Sequence, residues 1–433
     1  MSSRLIMSPW FLGALSAVFG LVSTLTPVKF YEQVLGEENL MFMNFKLYGI
    51  ITSLVLLYIL FAILGSKILF AKTKRDSENI TKPETVGAQI GLIIVFSISL
   101  LSIGSILRTI SLNEIIGAFT SGGGGSLRTN IGQAQSDARL GWTKDFSTFL
   151  LLYGVWIYFK SKSSDLTAMY RCIFFSTTAS FILMTVLTLT RGPLINFLIM
   201  SAVIFISAKF SNRLIPIGKL FMVSLVGALL IIGFFFVVAS ARSVKTDSAD
   251  TPIRAILGYF PASYNRAAYV IENKLHYPNE GGFYTLQGLI NPPYIGKALD
   301  TYAEMRLFGL RVPRSDEEDW FSQFDAVRSA GLNQAYIWAT TFGWAWADIG
   351  PWSYILFILY GFLSGVCFSL FRASTIFGII FYPYIVCTIS QWNAGLLIVQ
   401  RSTTLAIVAI IIIQFIVKFL KEKRQYVSST VGN

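Results

Sequence analysis

The sequence predicts an all-α polytopic membrane protein of about ten transmembrane helices, with one large soluble loop on the outer side of the membrane. Three observations carry this. Apolar runs of about 18–22 residues, long enough to cross a hydrocarbon core as helix, recur along most of the chain. Of 433 residues, 54% are hydrophobic and 13% charged, and mean hydropathy is +0.61; a soluble domain carries about 25% charged residues. Lys is concentrated in alternate turns, which is an orientation signal.

The spans fall at 10–26, 48–70, 87–107, 146–159, 172–190, 193–208, 219–240, 351–371, 375–392 and 395–419. No small-x-small cleavage pattern follows the first, so it reads as a retained span. The fourth is short and borrows flanking residues, and only the tight turn at Arg191, Gly192 and Pro193 separates the fifth from the sixth. Residues 1–240 thus hold seven spans with outward loops at 27–47 and 108–145, residues 241–350 form the large outward loop, and residues 351–433 hold three spans and a tail.

Lys67, Lys72, Lys74, Lys82, Lys160, Lys162, Lys209, Lys219, Lys418, Lys421 and Lys423 share one side with Arg4, Arg75, Arg171, Arg213, Arg372 and Arg424. Basic turns face the cytoplasm, so both termini are expected there. The net charge of +12 is scattered over these turns, with no basic helix or aromatic-interleaved basic strand, which excludes a nucleic-acid partner. The 3 cysteines, Cys172, Cys367 and Cys387, sit inside apolar runs, which argues against disulfides and thiolate metal sites.

The large loop is longer than a connection requires. Ile253, Ile256, Leu257, Phe260, Tyr264, Ala267, Ala268 and Ile271 recur at helical spacing, predicting an amphipathic helix that lies on the membrane or caps the bundle, kinked at Pro261. The stretch from Tyr277 to Trp320 reads as irregular loop.

The outward segments favour arginine: Arg108, Arg128, Arg139, Arg191, Arg242, Arg254, Arg266, Arg306, Arg311, Arg314, Arg328 and Arg401. Lysine serves orientation as a point charge; arginine offers a planar fork that grips phosphate or carboxylate through two hydrogen bonds. Arg108, Arg191 and Arg242 end or join spans, and Arg401 is expected about two turns inside the last one, a costly depth unless the side chain snorkels, faces the bundle or meets an anion. The alternative reading is contact with lipid headgroups. Together the four suit an anion-binding rim, for which a lipid-linked diphosphate is a natural ligand. Residues 333–351 hold Asn333, Tyr336, Thr340, Gly343, Trp344 and Asp348; if helical, Tyr336, Thr340 and Gly343 share a face that could hold a sugar. An interfacial aromatic belt, with Asp348 capping the next span, is an equal alternative.

With these motifs the chain resembles the Wzy-type O-antigen polymerases, the oligosaccharide repeat-unit polymerase family. The resemblance rests on Thr190-Arg191-Gly192 at an outer helix end, Ala241-Arg242-Ser243 opening the large loop, and Asn333-x-x-Tyr336 with Gly343 and Asp348-x-Gly350 closing it. The Arg-x10-Gly loop pattern of some members is absent. The resemblance implies a GT-C-like bundle and a metal-independent glycosyltransferase that needs no cofactor. Donor and acceptor would both be undecaprenyl-diphosphate-linked oligosaccharides, polymerised into O-antigen or capsule, with a flippase and a chain-length regulator as partners. It implies a bacterial inner membrane and carries Arg191 and Arg242 over as diphosphate or glycan contacts. Our reading of the residues then takes Arg191, Arg242 and Asp348 as catalytic, and Arg108, Arg128, Arg254, Arg266, Asn333, Tyr336 and Arg401 as substrate contacts. The alternatives are an O-antigen ligase or other GT-C transferase, and a lipid-linked oligosaccharide flippase.

Other groups carry weaker signals. His276 is the lone histidine and reads as an ordinary loop residue before a general base. The acidic run Asp316, Glu317, Glu318 and Asp319 reads as a solvated loop before a cation site. Glu32, Glu37 and Glu38 would serve a metal-dependent variant. The four-glycine run at 122–125 reads as a hinge.

Overall fold

Helix is the only regular structure among the described residues, as lipid demands of a backbone that must satisfy its own hydrogen bonds. The computed structural model describes residues 3–70, 80–121, 127, 130–132, 135, 140–161, 166–188, 192–210, 257–293, 296, 299–309 and 311–431. In chain order the first helices are α1 (Pro9–Ser23), α2 (Val28–Leu35), α3 (Phe45–Phe70), α4 (Lys82–Thr109) and α5 (Leu112–Ser121). Then come α6 (Thr143–Lys160), α7 (Ala168–Leu187) and α8 (Gly192–Phe210). The loop region supplies α9 (Pro261–Ile271), α10 (Phe283–Ile290), α11 (Thr301–Leu307), α12 (Asp316–Ser329) and α13 (Thr340–Ile349). The chain closes with α14 (Ser353–Arg372), α15 (Ile376–Ser390) and α16 (Arg401–Val431).

Among the described residues, six helical stretches are long and apolar enough to cross a membrane: Phe45–Ile68, Lys82–Thr109, Ala168–Leu187, Gly192–Phe210, Thr340–Arg372 and Arg401–Tyr426. A bent pair, α1 and α2, makes a seventh if counted as one span. The chain is therefore an all-helical, multi-pass membrane protein. The expected span at 219–240 and the four-glycine run lie outside the described residues. The expected first span ends at Ser23, where the chain turns through 84° into α2; Pro27 restricts the residue before it and starts a new helix. The expected fourth and ninth spans, α6 and α15, are interior helices, with residues 146–157 and 378–389 buried without interruption. All-round apolar character in so short a helix reflects protein on every side.

Close backbone approach holds the centre of the bundle. Gly361 and Gly365 form a small-xxx-small step on α14 that lies against α3, where a methyl group on either would collide with the carbonyl of Tyr58 or Ala62. Gly65 faces the Phe362 carbonyl in the same way, and Ser369 Oγ donates to Ser66 O at 2.8 Å. Above this seam Trp392 packs edge-on against Tyr58 and Phe342, with ring centroids 5.1 and 5.4 Å apart.

One end of the bundle gathers residues 27–44, 257–352 and 391–400, and here the structure corrects several expectations. Of the two placements expected for the amphipathic helix, the capping one fits: every residue of α9 is buried, and the helical stretch is interrupted at Pro261, with Leu257–Tyr259 helical before a turn at Phe260 and α9 after it. Gly343 of α13 meets the backbone of Ala267, so α13 packs against α9. Residues 283–329 are largely helical instead of irregular. The acidic run opens α12, where Ser315 Oγ accepts from Glu318 N at 3.1 Å and four carboxylates sit in the first turn, as the helix dipole favours. The 333–351 stretch becomes helical only from Thr340, so Tyr336 shares no helix face with Gly343. The last span begins at Arg401 and not at 395. Thr341 holds the preceding segment as turns through its N–H to Trp392 O (2.7 Å) and its hydroxyl to Gly395 O (2.6 Å).

Candidate functional site

Two polar constructions occupy this end of the bundle, a closed knot and an open cavity. The knot is centred on Arg266 and Glu37, whose side chains are both wholly buried. The guanidinium donates to Glu37 Oε1 and Oε2, each at 2.8 Å, to Ala262 O and Asn333 O at 2.9 Å, and to Tyr336 O. These five bonds use every N–H of an arginine. Glu37 also accepts from Asn333 N at 2.7 Å, Asn265 Nδ2 at 3.4 Å and the Tyr31 hydroxyl. Two buried charges are tolerable only when they are paired and hydrogen-bonded as fully as this.

The knot reassigns several expected site residues. Arg266 has no donor left for a glycan and serves as scaffold. Asn333 is fastened through Nδ2 to Leu35 O at 3.2 Å, and its Oδ1 accepts from Ala335 N at 3.0 Å. Tyr336 gives its carbonyl to Arg266 while its ring lies edge-on to Tyr259, with centroids 6.1 Å apart. The motif Asn333-x-x-Tyr336 therefore packs the loop against the first outward segment. Glu38 accepts from the Tyr269 hydroxyl at 3.2 Å and Glu32 from Asn39 N at 3.2 Å, so each of these acidic residues is bound within the fold.

Asp348 is likewise structural. Its two carboxylate oxygens accept from Gly282 N at 2.9 Å and Thr285 N at 2.6 Å, capping α10 instead of the span that follows it. Gly281 and Gly282 make this possible, with φ of +111° and +102°, a region glycine enters without strain. Arg108 is exposed in the last turn of α4. Arg128, Arg191, Arg242 and Arg254 lie outside the described residues. His276 is exposed, 3.7 Å from Glu280.

The cavity, about 350 Å³, is walled by Tyr284, Trp320, Trp338 and Trp344, with Gln287, Gln323, Gln400 and Ser402 between the rings. Its charged groups are Asp145 from α6, Asp316 and Asp319 from α12, and Arg401 from the start of α16. Arg401 Nη1 donates to Asp316 Oδ2 at 2.7 Å, Nη2 reaches Asp316 Oδ1 and, at 3.0 Å, the Tyr302 hydroxyl. The buried Nε of Arg401 has no partner among the described residues. Asp319 Oδ1 accepts from Asn279 Nδ2 at 2.7 Å and the Tyr284 hydroxyl at 3.1 Å, and Oδ2 from Gln323 Nε2 at 2.9 Å. Burial pushes the Asp319 carboxyl above its ordinary value, with the bonds from Asn279 and Tyr284 pulling back against it. Burial likewise raises the Tyr284 hydroxyl, which the adjacent Asp319 reinforces.

Flat aromatic faces, amide groups and carboxylates together suit a polyhydroxylated ring: its apolar face stacks and its hydroxyls find donors and acceptors. Arg401 adds an anion contact. Of the expected site residues that are described, Arg401 lines this cavity. Sequence reasoning passed over Asp145, Tyr284, Trp320 and Trp338, and it set Asp316 and Asp319 in a solvated loop. The available signal was a carboxylate at the mouth of an apolar run, three residues after Trp142. Compared with protein-family models, curated proteins and solved structures, the chain matches none.

Proposed function

We propose that this protein is a glycosyltransferase that polymerises undecaprenyl-diphosphate-linked oligosaccharide repeat units into surface polysaccharide, O-antigen or capsule, at the periplasmic face of a bacterial inner membrane. One observation carries the reading: the cavity walled by three tryptophans and a tyrosine that also presents Arg401 and three aspartates. Its volume of about 350 Å³ falls in the ~300–1,000 Å³ range of small-molecule sites. The Lys-rich turns favour the cytoplasm for the opposite end, which supports a cavity that opens where flipped lipid-linked sugars are presented. The resemblance of the Arg191, Arg242 and Asn333–Gly350 motifs to repeat-unit polymerases supports the same reading and adds Arg191 and Arg242 as diphosphate contacts.

A second, apolar cavity of about 510 Å³ lies between α1 and α15, lined by Leu12, Phe19, Phe260, Tyr264 and Ile389 among others. An isoprenoid tail would find there a surface matched to its own chemistry. An O-antigen ligase or another GT-C transferase would use the same elements. A flippase would need its polar site near the bilayer midplane, whereas Arg401 stands at a helix end.

The deciding experiment is deletion of the gene followed by electrophoresis of surface polysaccharide. A polymerase deletion leaves a single repeat unit on the lipid core; a ligase or flippase deletion leaves none. Unchanged long chains would refute all three. The flippase and a chain-length regulator are the partners this function requires.

A further inference from the structure

Glycosyl transfer to a hydroxyl leaves one proton to be removed, and three carboxylates on the cavity wall are candidates to take it. Two are committed. Asp316 is held by Arg401 through both oxygens, and by the Tyr302 hydroxyl at 2.9 Å. Asp319 receives three hydrogen bonds. Bonds of this kind occupy the lone pairs to which a substrate proton would have to pass. The third is Asp145. Among the described residues it has no hydrogen-bond donor and no ion-pair partner, and Lys144 is the one charge that acts on it.

The scaffold around Asp145 is rigid. It stands in the first turn of α6, directly before the buried stretch 146–157, and Phe149 one turn on packs edge-on against Tyr384 with centroids 5.3 Å apart. The carboxylate shares the cavity with Trp338, Trp344 and Arg401. An open, half-buried carboxylate beside stacking surfaces and an anion contact is the arrangement a positioned general base requires.

Resting on the transferase reading, we infer that Asp145 is the catalytic base of the transfer. The acceptor hydroxyl oxygen forms a bond to the anomeric carbon of the donor sugar as the bond from that carbon to the diphosphate oxygen breaks. The bonding pair leaves with undecaprenyl diphosphate, and the hydroxyl proton passes to the Asp145 carboxylate, which returns it to water.

The test uses the full chain in lipid nanodiscs and lipid-linked repeat units extracted from cells lacking the gene. Asp145→Asn should lower kcat by about 10²-fold or more, the usual contribution of a general base, with KM within a few-fold of wild type. In Asp145→Ala, added formate should restore part of the lost rate, a recovery that a merely structural defect would not show. If Asp145→Asn keeps kcat within about tenfold of wild type, or if formate fails to raise the rate of a monodisperse Asp145→Ala protein, the assignment is overturned while the transferase reading stands. If the wild-type protein makes no polymer from these substrates, the transferase reading itself fails and takes the base with it.

Discussion

Replacing Arg266 by methionine should be among the most damaging single changes in the described structure. The guanidinium and the Glu37 carboxylate are wholly buried and bonded through two contacts of 2.8 Å. Without the arginine, Glu37 keeps Tyr31, Asn265 and the Asn333 amide as neutral donors but no counter-charge, and three carbonyls lose their donor. Breaking a buried pair from one side costs about 3–5 kcal/mol. Glu37→Gln should cost a similar amount, because it strands the guanidinium. The double variant removes both charges, so its loss should fall short of the summed single losses by about 2–3 kcal/mol. SDS titration of detergent-solubilised protein, followed by near-ultraviolet dichroism, measures all four corners of the cycle. Strictly additive losses, or an Arg266→Met protein within about 1 kcal/mol of wild type, would refute the knot as described.

Three further outcomes are expected. Asp348→Ala removes both acceptors from the start of α10 and should cost about 0.5–2 kcal/mol, read in the same titration and as faster amide exchange at Gly282 and Thr285. Gly365→Leu drives a side chain into the Ala62 carbonyl and should destabilise the α3–α14 seam by about 1–3 kcal/mol or more, seen as aggregation on size exclusion, while Gly49→Ala, with open space around it, serves as the silent control. Asp319 has a folded value raised by burial above its ordinary 3.8, so the folded state holds its proton longer than the unfolded chain does. Its contribution to stability is complete below the ordinary value and is lost as pH rises through the folded one. A melting temperature recorded against pH should therefore decline across that window in wild type and flatten there in Asp319→Asn; equal slopes would refute the sign.

The long spans were legible because an apolar run of twenty residues has few other fates in a membrane. What stayed hidden depended on partners distant in sequence. The periodicity of α9 announced a helix with an apolar face, but the helix α13 that covers its remaining face begins about seventy residues later. Leu396 to Val399 continue the apolar run of α16 in composition, yet Thr341 bonds the chain just before them at Trp392 and Gly395, and Leu397–Val399 form a short 3-10 turn; this moves Arg401 from inside a span to its beginning. Gly361 and Gly365 drew no notice in the sequence, because what makes them matter is the backbone of α3 against their face. Asp348, taken as catalytic with a capping role as the alternative, is bonded as a cap, though the helix it caps lies earlier in the chain. Asp145 carried almost no signal, since one carboxylate before an apolar run is ordinary. Its isolation among committed neighbours is a property of the fold alone.

Glu37 and Arg266 are 229 residues apart, and this spacing bears on biogenesis. A ribosome delivers the carboxylate to the membrane long before its counter-ion exists. Until residue 266 has been synthesised and has crossed to the same side, the early segment carries a charge it can neither bury nor neutralise. A chain whose later helices insert with inverted topology never completes the pair. The pair is sealed only when both halves of the polypeptide have arrived with matching orientation.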